Sequence, residues 1–399
     1  MYRVISLEIG LGLAMGANVC LGQASTTPQS QRQTALTLEQ QGKNVEAEAA
    51  WRVFLKAHPS NPEPYAHLGL LEARQEHYKQ AVPLYRKALA MNPAIPGLRL
   101  NLGLALFKGG ELKQAIQEFK PLLKNQPHGS DQAQRLTILI GMAYYGLGEY
   151  ASAATYLKQA TAQDAQNLPL QLALAHSCLW AKQYQCVLDT YHEILNLNAE
   201  SAEADMLAGE ALDEMKDTPG AIQQFRAAVK ANPKEPDAHY GLGYLLWIQK
   251  QYEEAASEFQ AELDNNPVHV QALTYLGDTQ MHLKHPELAQ PLLENALRLD
   301  AGQELAHLDL GIVLADAGRQ EDALREMRAA AKLNPEDVNV HWRLGRLYRT
   351  MGKNDEAKAE FDKASSINKA ADSGLVDKIS NGHNGPAPAQ HQAAAPEEK

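Results

Sequence analysis

Along most of this chain apolar residues recur three and four positions apart, stop for a short polar break, and recur again at the same spacing. Tyr240, Gly243 and Leu246 step along one helical face, and after the break Ala255 and Phe259 begin a second. The pattern predicts a pair of antiparallel helices, and it repeats. Gly209, Gly243, Gly277, Gly311 and Gly345 lie 34 residues apart, and Gly69 and Gly103 carry the same spacing backwards. Gly141 follows 38 residues after Gly103, and Ala175 fills the next slot. Twelve residues beyond each slot stands Ala47, Ala81, Ala115, Ala153, Val187, Ala221, Ala255, Ala289, Ala323 or Ala357. Four further on the residue is always large and apolar: Trp51, Tyr85, Phe119, Leu157, Tyr191, Phe225, Phe259, Leu293, Met327, Phe361. Pro59, Pro93, Pro127, Pro233, Pro267 and Pro335 close six of the units.

Small residues on both helices let the two backbones approach, and the large residue one turn later fills the space beyond. One such hairpin cannot bury its apolar face alone. Stacking supplies the partner surface, so the expected fold is all-α and built by repetition. Because Ala35 and Ala175 occupy glycine slots, Gly243→Ala is expected to be tolerated.

This register resembles the tetratricopeptide repeat family, whose pattern has a small residue at the eighth position, Ala at the twentieth and twenty-seventh, an aromatic at the twenty-fourth and Pro at the thirty-second. The resemblance implies an α-solenoid of about ten helix-turn-helix units wound as a right-handed superhelix. Its repeats would begin at Pro28, Pro62, Pro96, Gln134, Leu168, Ala202, Pro236, Val270, Glu304 and Val338 and span residues 28–371.

Departures from the pattern carry their own expectations. Four extra residues around His128 to Asp131 lengthen one connection and are expected to bend the stack there. The fifth repeat has Ala175 for Gly and Val187 for Ala, and is expected to be the softest. Pro83, Pro121 and Pro291 fall inside second helices, where each removes a backbone hydrogen bond and should kink or shorten its helix. The first repeat, with Thr34 and Ala35 where Leu-Gly is usual, reads as a frayed cap. Residues 372–380 read as a short capping helix, and 381–399, rich in Gly, Pro, Ala and Gln, as a disordered tail.

Composition agrees with helices: aromatics are only 6% of the 399 residues. A net charge of -11 argues against nucleic acid as the main partner. No apolar run reaches the 18 or more residues of a spanning helix, so stable membrane insertion is not expected. Residues 1–24 combine Arg3, an apolar stretch interrupted by Glu8, and Gly22-Gln23-Ala24. They read as an export signal, giving an exported, periplasmic or secreted bacterial-type chain that begins at Ser25; the alternative is a cytoplasmic one. Val19 ahead of Cys20 argues against lipidation. Cys178 and Cys186 lie on the two helices of the fifth repeat. Pairing across the hairpin stays open, but two separate small apolar residues is the preferred reading, since sequence separation does not fix the Cα distance.

No catalytic, cofactor or metal constellation emerges, and the chain reads as non-catalytic. Gly241-Leu242-Gly243 belongs to the repeat register, and no phosphate-binding loop or nucleophile elbow occurs. His239, His307 and His341 share the fourth position of their repeats and read as packing residues. His282 and His285 form at best a weak zinc pair without a Cys ligand.

The resemblance further implies that first helices line a concave groove. Tyr145 and Trp180 fall on its apolar part. The sixth repeat supplies Glu203, Met206, Glu210, Asp213 and Glu214, the seventh Tyr240, Tyr244 and Trp247, and the tenth Trp342, Arg346 and Arg349 beside Arg343. Aromatic anchors with polar tips suit interfaces, while packing between repeats is the competing reading. The Lys/Asn clamp of chaperone-tail receptors is missing at Ala66 and Leu70 and again at Leu100 and Leu104, and only Asn101 fits an Asn ladder. The expectation is a scaffold that recruits an extended peptide or partner protein in the assembly of an envelope or secreted complex. The alternative is an accessory or substrate-positioning subunit of an enzyme such as a glycosyltransferase or a secretion apparatus.

Overall fold

The computed structural model describes residues 27–382, with side chains through residue 370. The expected export signal and the tail beyond residue 382 lie outside the described residues. Among the described residues there are twenty α-helices and no strand.

The chain divides between Gln163 and Asp164 into two compact units. The first holds α1 (Pro28–Gln40), α2 (Asn44–Ala57), α3 (Pro62–Arg74), α4 (Tyr78–Met91), α5 (Leu98–Lys108), α6 (Leu112–Lys124), α7 (Asp131–Gly146) and α8 (Tyr150–Gln163). The second holds α9 (Leu168–Trp180), α10 (Tyr184–Leu197), α11 (Ala202–Glu214), α12 (Thr218–Ala231), α13 (Ala238–Ile248), α14 (Tyr252–Asn265), α15 (Val270–His282), α16 (Pro286–Leu299), α17 (Glu304–Asp316), α18 (Gln320–Leu333), α19 (Val338–Thr350) and α20 (Asn354–Gly382). Each odd helix packs on the even helix after it, and within a unit each even helix packs on the next odd one. The ten hairpins are the ten repeats of the sequence register, the arrangement of an α-solenoid.

Every hairpin turn is closed in the same way. One residue takes a positive φ, which is Gly42, Gly110, Gly148, Gly318 or Gly352 in five turns and Glu76, Lys182, Lys216, Lys250 or Lys284 in the others. The N–H that follows it reaches back to the last turn of the first helix, as from Gln251 to the Leu246 carbonyl at 2.9 Å. This satisfies a carbonyl that the helix end would leave orphaned.

The glycine slot has a steric cause, and it corrects the expectation for Gly243. A Cβ at Gly243 would stand 2.8 Å from two ring carbons of Phe259, and one at Gly277 would stand 2.6 Å from Leu293. Gly69, Gly209 and Gly345 face Tyr85, Phe225 and Phe361 in the same way. Real Cβ atoms do not approach so closely, so alanine is not a free replacement there.

Several departures resolve differently from expectation. Most of the four extra residues extend α7 rather than the loop: the helix starts at Asp131, capped by the Ser130 hydroxyl, and runs for 16 residues. α4 and α16 keep their full 14 residues through Pro83 and Pro291, and only α6, with Pro121, is shorter at 13. All three prolines lie on exposed positions, where a carbonyl without its partner can turn to water. The first repeat is packed, not frayed: Ala35, Ala47 and Trp51 are fully buried, and the Trp51 indole donates to Glu39 at 3.1 Å. The helix expected over 372–380 is the continuation of α20. Cys178 and Cys186 form a disulfide with Cα atoms 5.8 Å apart, which corrects the preference for separate thiols. The tight turn at Lys182 brings the end of α9 and the start of α10 within bridging range.

Candidate functional site

α13 begins two residues after the register's Pro236, because Asp237 turns the chain with φ at +65°. Asp tolerates this left-handed conformation better than most residues. The early N–H groups of α13 then need partners. The carboxylate of Glu262 on α14, buried at 1% exposure, accepts from the Asp237 N–H at 3.4 Å and the Tyr240 N–H at 3.2 Å. His269 completes the platform: its Nε2 donates to Asp237 Oδ1 at 2.8 Å, and its Nδ1 accepts from the Ala272 N–H at 3.1 Å, capping α15. Ligand atoms of Asp237, Glu262 and His269 all lie within 4.8 Å of one another. Yet both ring nitrogens are engaged, one as donor and one as acceptor, so the trio links α13, α14 and α15 rather than offering a metal site.

From this platform α13 presents Tyr240, Tyr244 and Trp247. Their rings follow one another at centroid distances of 6.3 and 6.1 Å. Tyr275 of α15 stands edge-on to Tyr244 at 5.2 Å and to Trp247 at 5.1 Å. The Trp247 indole donates to Asp278 Oδ2 at 2.5 Å. All three rings are half-buried, so the anchoring and packing readings are both partly realised. Burial pushes the Tyr240 hydroxyl up, and raises that of Tyr275 to about 12, so both remain neutral donors. Burial also raises Asp278, with Trp247 and His282 pulling it down, and raises Asp309 beside it well above the carboxylate range.

The first helices α13, α15, α17 and α19 approach one another closely in succession, as do α9 and α11, whereas α11 and α13 do so less. A cleft of about 440 Å³ opens at that wider spacing. Met206, Glu210 and Asp213 line it from α11, and Tyr240, Gly241, Tyr244 and Leu245 from α13. Phe225, Asp237, His269 and Gln271 complete the wall. Among the described residues neither Glu210 nor Asp213 makes an ion pair, while Glu203 nearby is held by His176 at 2.8 Å. The surrounding walls raise the Glu210 carboxyl, with His176 opposing and Asp237 adding to the rise.

A second cleft, of about 420 Å³, lies between α17, α18 and α19 and includes Asp316, Arg343, Arg346 and Thr350. Trp342, 45% exposed, carries the Arg346 guanidinium over its ring at 4.9 Å. The remaining sequence candidates do not join these clefts. Arg349 lies over the Phe361 ring of α20 at 5.7 Å. Trp180, 60% exposed at the end of α9, lines neither cleft, and Tyr145 in the first unit rests edge-on to Tyr150 at 5.9 Å. Sequence reading missed Asp237, Gln271 and His269. The first two occupy the second position of their repeats, a groove position, and were therefore findable; His269 lies just outside the repeat start.

The fourth-position histidines tie hairpins together. His239 meets Glu258 at 2.6 Å, His307 meets Glu326 at 2.7 Å and His341 meets Glu360 at 2.6 Å, while Arg99 and Glu118 fill the same slots at 2.8 Å. His282 stacks on Tyr252 at 4.4 Å. No helix of the described residues is long and apolar enough to cross a membrane.

Comparison with known proteins adds the family. A tetratricopeptide repeat model matches residues 67–130, 189–236, 206–269, 249–304, 274–338 and 308–372, and a second such model matches 135–167. Anaphase-promoting complex subunit 3 of Schizosaccharomyces pombe is 27% identical over 157 residues, covering 39% of this chain and 24% of that protein. BBSome complex member BBS4 of Bos taurus is 23% identical over 293 residues, covering 70% of this chain and 54% of that protein. The chain thus spans about a quarter and about half of these two relatives. The crystal structure of YrrB, described as a TPR protein with an unusual peptide-binding site, is 23% identical with a TM-score of 0.39, covering 44% of this chain and 91% of that one. With matches across more than half of its length, in the register that the hairpins follow, the chain belongs to the tetratricopeptide repeat family.

Proposed function

We propose that the face formed by α11, α13 and α15 binds an extended polypeptide segment, and that the chain is a non-catalytic scaffold recruiting a partner protein. The observation that carries this reading is the open cleft with two tyrosines on one wall and two carboxylates on the other. Its volume falls within the roughly 300–1,000 Å³ of ligand sites, and its lining comes from α11, α13 and the start of α15, so a segment lying across these helices would meet it. Rings already stacked on neighbours lose little freedom on binding and serve as anchors. Export and a role in assembling an envelope or secreted complex are part of the proposal. The Cys178–Cys186 disulfide supports export, because such bonds persist in oxidising compartments.

The test is partner capture and thermal melting of Tyr244→Ala. Truncating a central aromatic anchor typically costs about 2 kcal/mol of binding, roughly thirtyfold. Lost capture with a small change in melting supports the site. Undiminished capture contradicts it.

A further inference from the structure

We infer that the cleft between α11 and α13 is a receptor for a cationic side chain, arginine or lysine, presented by the segment that crosses this face; the inference rests on the groove reading above. Glu210, Asp213 and Asp237 place three carboxylates around one opening, and no lysine or arginine lines it. Asp237 is committed to His269, whereas Glu210 and Asp213 make no ion pair among the described residues. The opposite wall is the pair of Tyr240 and Tyr244 rings, whose faces attract a cation electrostatically. Met206, half-buried on the α11 wall, gives the aliphatic stem of a long basic side chain an apolar surface to lie against. An acidic side chain would meet like charge. A neutral apolar one would cover the Glu210 carboxylate without giving it a partner, which costs the desolvation of that group. Glu210 is an exposed residue whose carboxyl the cleft walls desolvate and raise above its ordinary value, and a cation beside it would oppose that rise. The chemistry therefore selects a guanidinium or ammonium group, with the guanidinium favoured where it can bond two carboxylate oxygens at once.

The test is affinity selection of the full chain against an end-blocked, randomised decapeptide library, with sequencing of the retained peptides. The expected result is enrichment of arginine or lysine at one position. Replacing that residue by citrulline or norleucine should weaken binding roughly tenfold or more, about the worth of one hydrogen bond to a charged group. In the double variant Glu210→Gln, Asp213→Asn, the enrichment should vanish while the norleucine peptide binds as before. Enrichment of acidic or purely apolar residues, lost on Tyr244→Ala, overturns the cationic receptor and leaves the groove reading standing. Retention of no peptide above the level of Tyr244→Ala overturns the groove reading itself, and the receptor with it.

Discussion

Replacing Gly243 by alanine sets two effects of known sign against each other. A methyl group at this site would lie 2.8 Å from Cδ1 and Cε1 of Phe259 and 3.2 Å from Cγ. Carbon atoms in contact prefer about 3.5–4.0 Å, so the ring or the helix must move by several tenths of an ångström. The ring has little room: it is fully buried, with Tyr240 at 6.1 Å and Tyr275 at 5.9 Å. Alanine gains about 1 kcal/mol of helix propensity over glycine, while overpacking a core costs about 1–3 kcal/mol. The net expectation is a loss of up to about 2 kcal/mol in urea unfolding followed by circular dichroism. Combining the change with Phe259→Ala should remove the clash, since the three atoms nearest a Cβ at Gly243 all belong to the Phe259 ring. The double-mutant cycle should return a coupling of about 1–2 kcal/mol. A Gly243→Ala variant more stable than the parent, with no coupling to position 259, would show that propensity alone governs the slot.

Other expectations follow from the turns, the disulfide and the buried acids. Lys250 holds φ at +59°, so Lys250→Gly should stabilise by up to about 1 kcal/mol; an unchanged or lower melting temperature contradicts that. Reducing the Cys178–Cys186 bond should speed amide exchange in α9 and α10 and cost roughly 2.5 kcal/mol by loop-closure entropy. Exchange identical in both redox states would show that the hairpin does not depend on the bond. Asp309 has a raised folded-state value, caused first by burial and then by Asp278, so its contribution is full below the unfolded carboxylate value near ~4 and is lost as pH rises through the folded one. Asp309→Asn should therefore melt above the parent at neutral pH, with the gap closing toward pH ~4; a gap independent of pH rules this out.

The repeat register was legible because each of its marks is a contact. Gly243 and Phe259 sit 16 residues apart in the chain and face each other across the hairpin, and in most other repeats a glycine faces a large apolar residue at the same spacing. The acidic and aromatic walls were legible for the same reason, since positions five and nine of the sixth and seventh repeats supply Met206, Glu210, Tyr240 and Tyr244. What escaped depends on single local geometries that no period encodes. Asp237 in a left-handed turn shifts the start of α13, and the His269 cap follows from where that turn places its carboxylate. The disulfide needed the 5.8 Å Cα separation set by the Lys182 turn. Trp247 reads as an exposed anchor until Asp278, one repeat later, is seen to accept its indole proton.

The central claim is that an extended segment crosses the face of α11, α13 and α15, and photo-crosslinking addresses it most directly. Gln271 is exposed at the edge of the cleft, and Gln260 is exposed on the second-helix surface of α14. Each would be replaced, in separate full-length chains, by benzoylphenylalanine and irradiated in native extract, and the crosslinked peptides sequenced. The expected result is capture from position 271 of one continuous partner segment carrying an arginine or lysine, with position 260 silent. Equal capture from both positions, or capture from 260 alone, would contradict it.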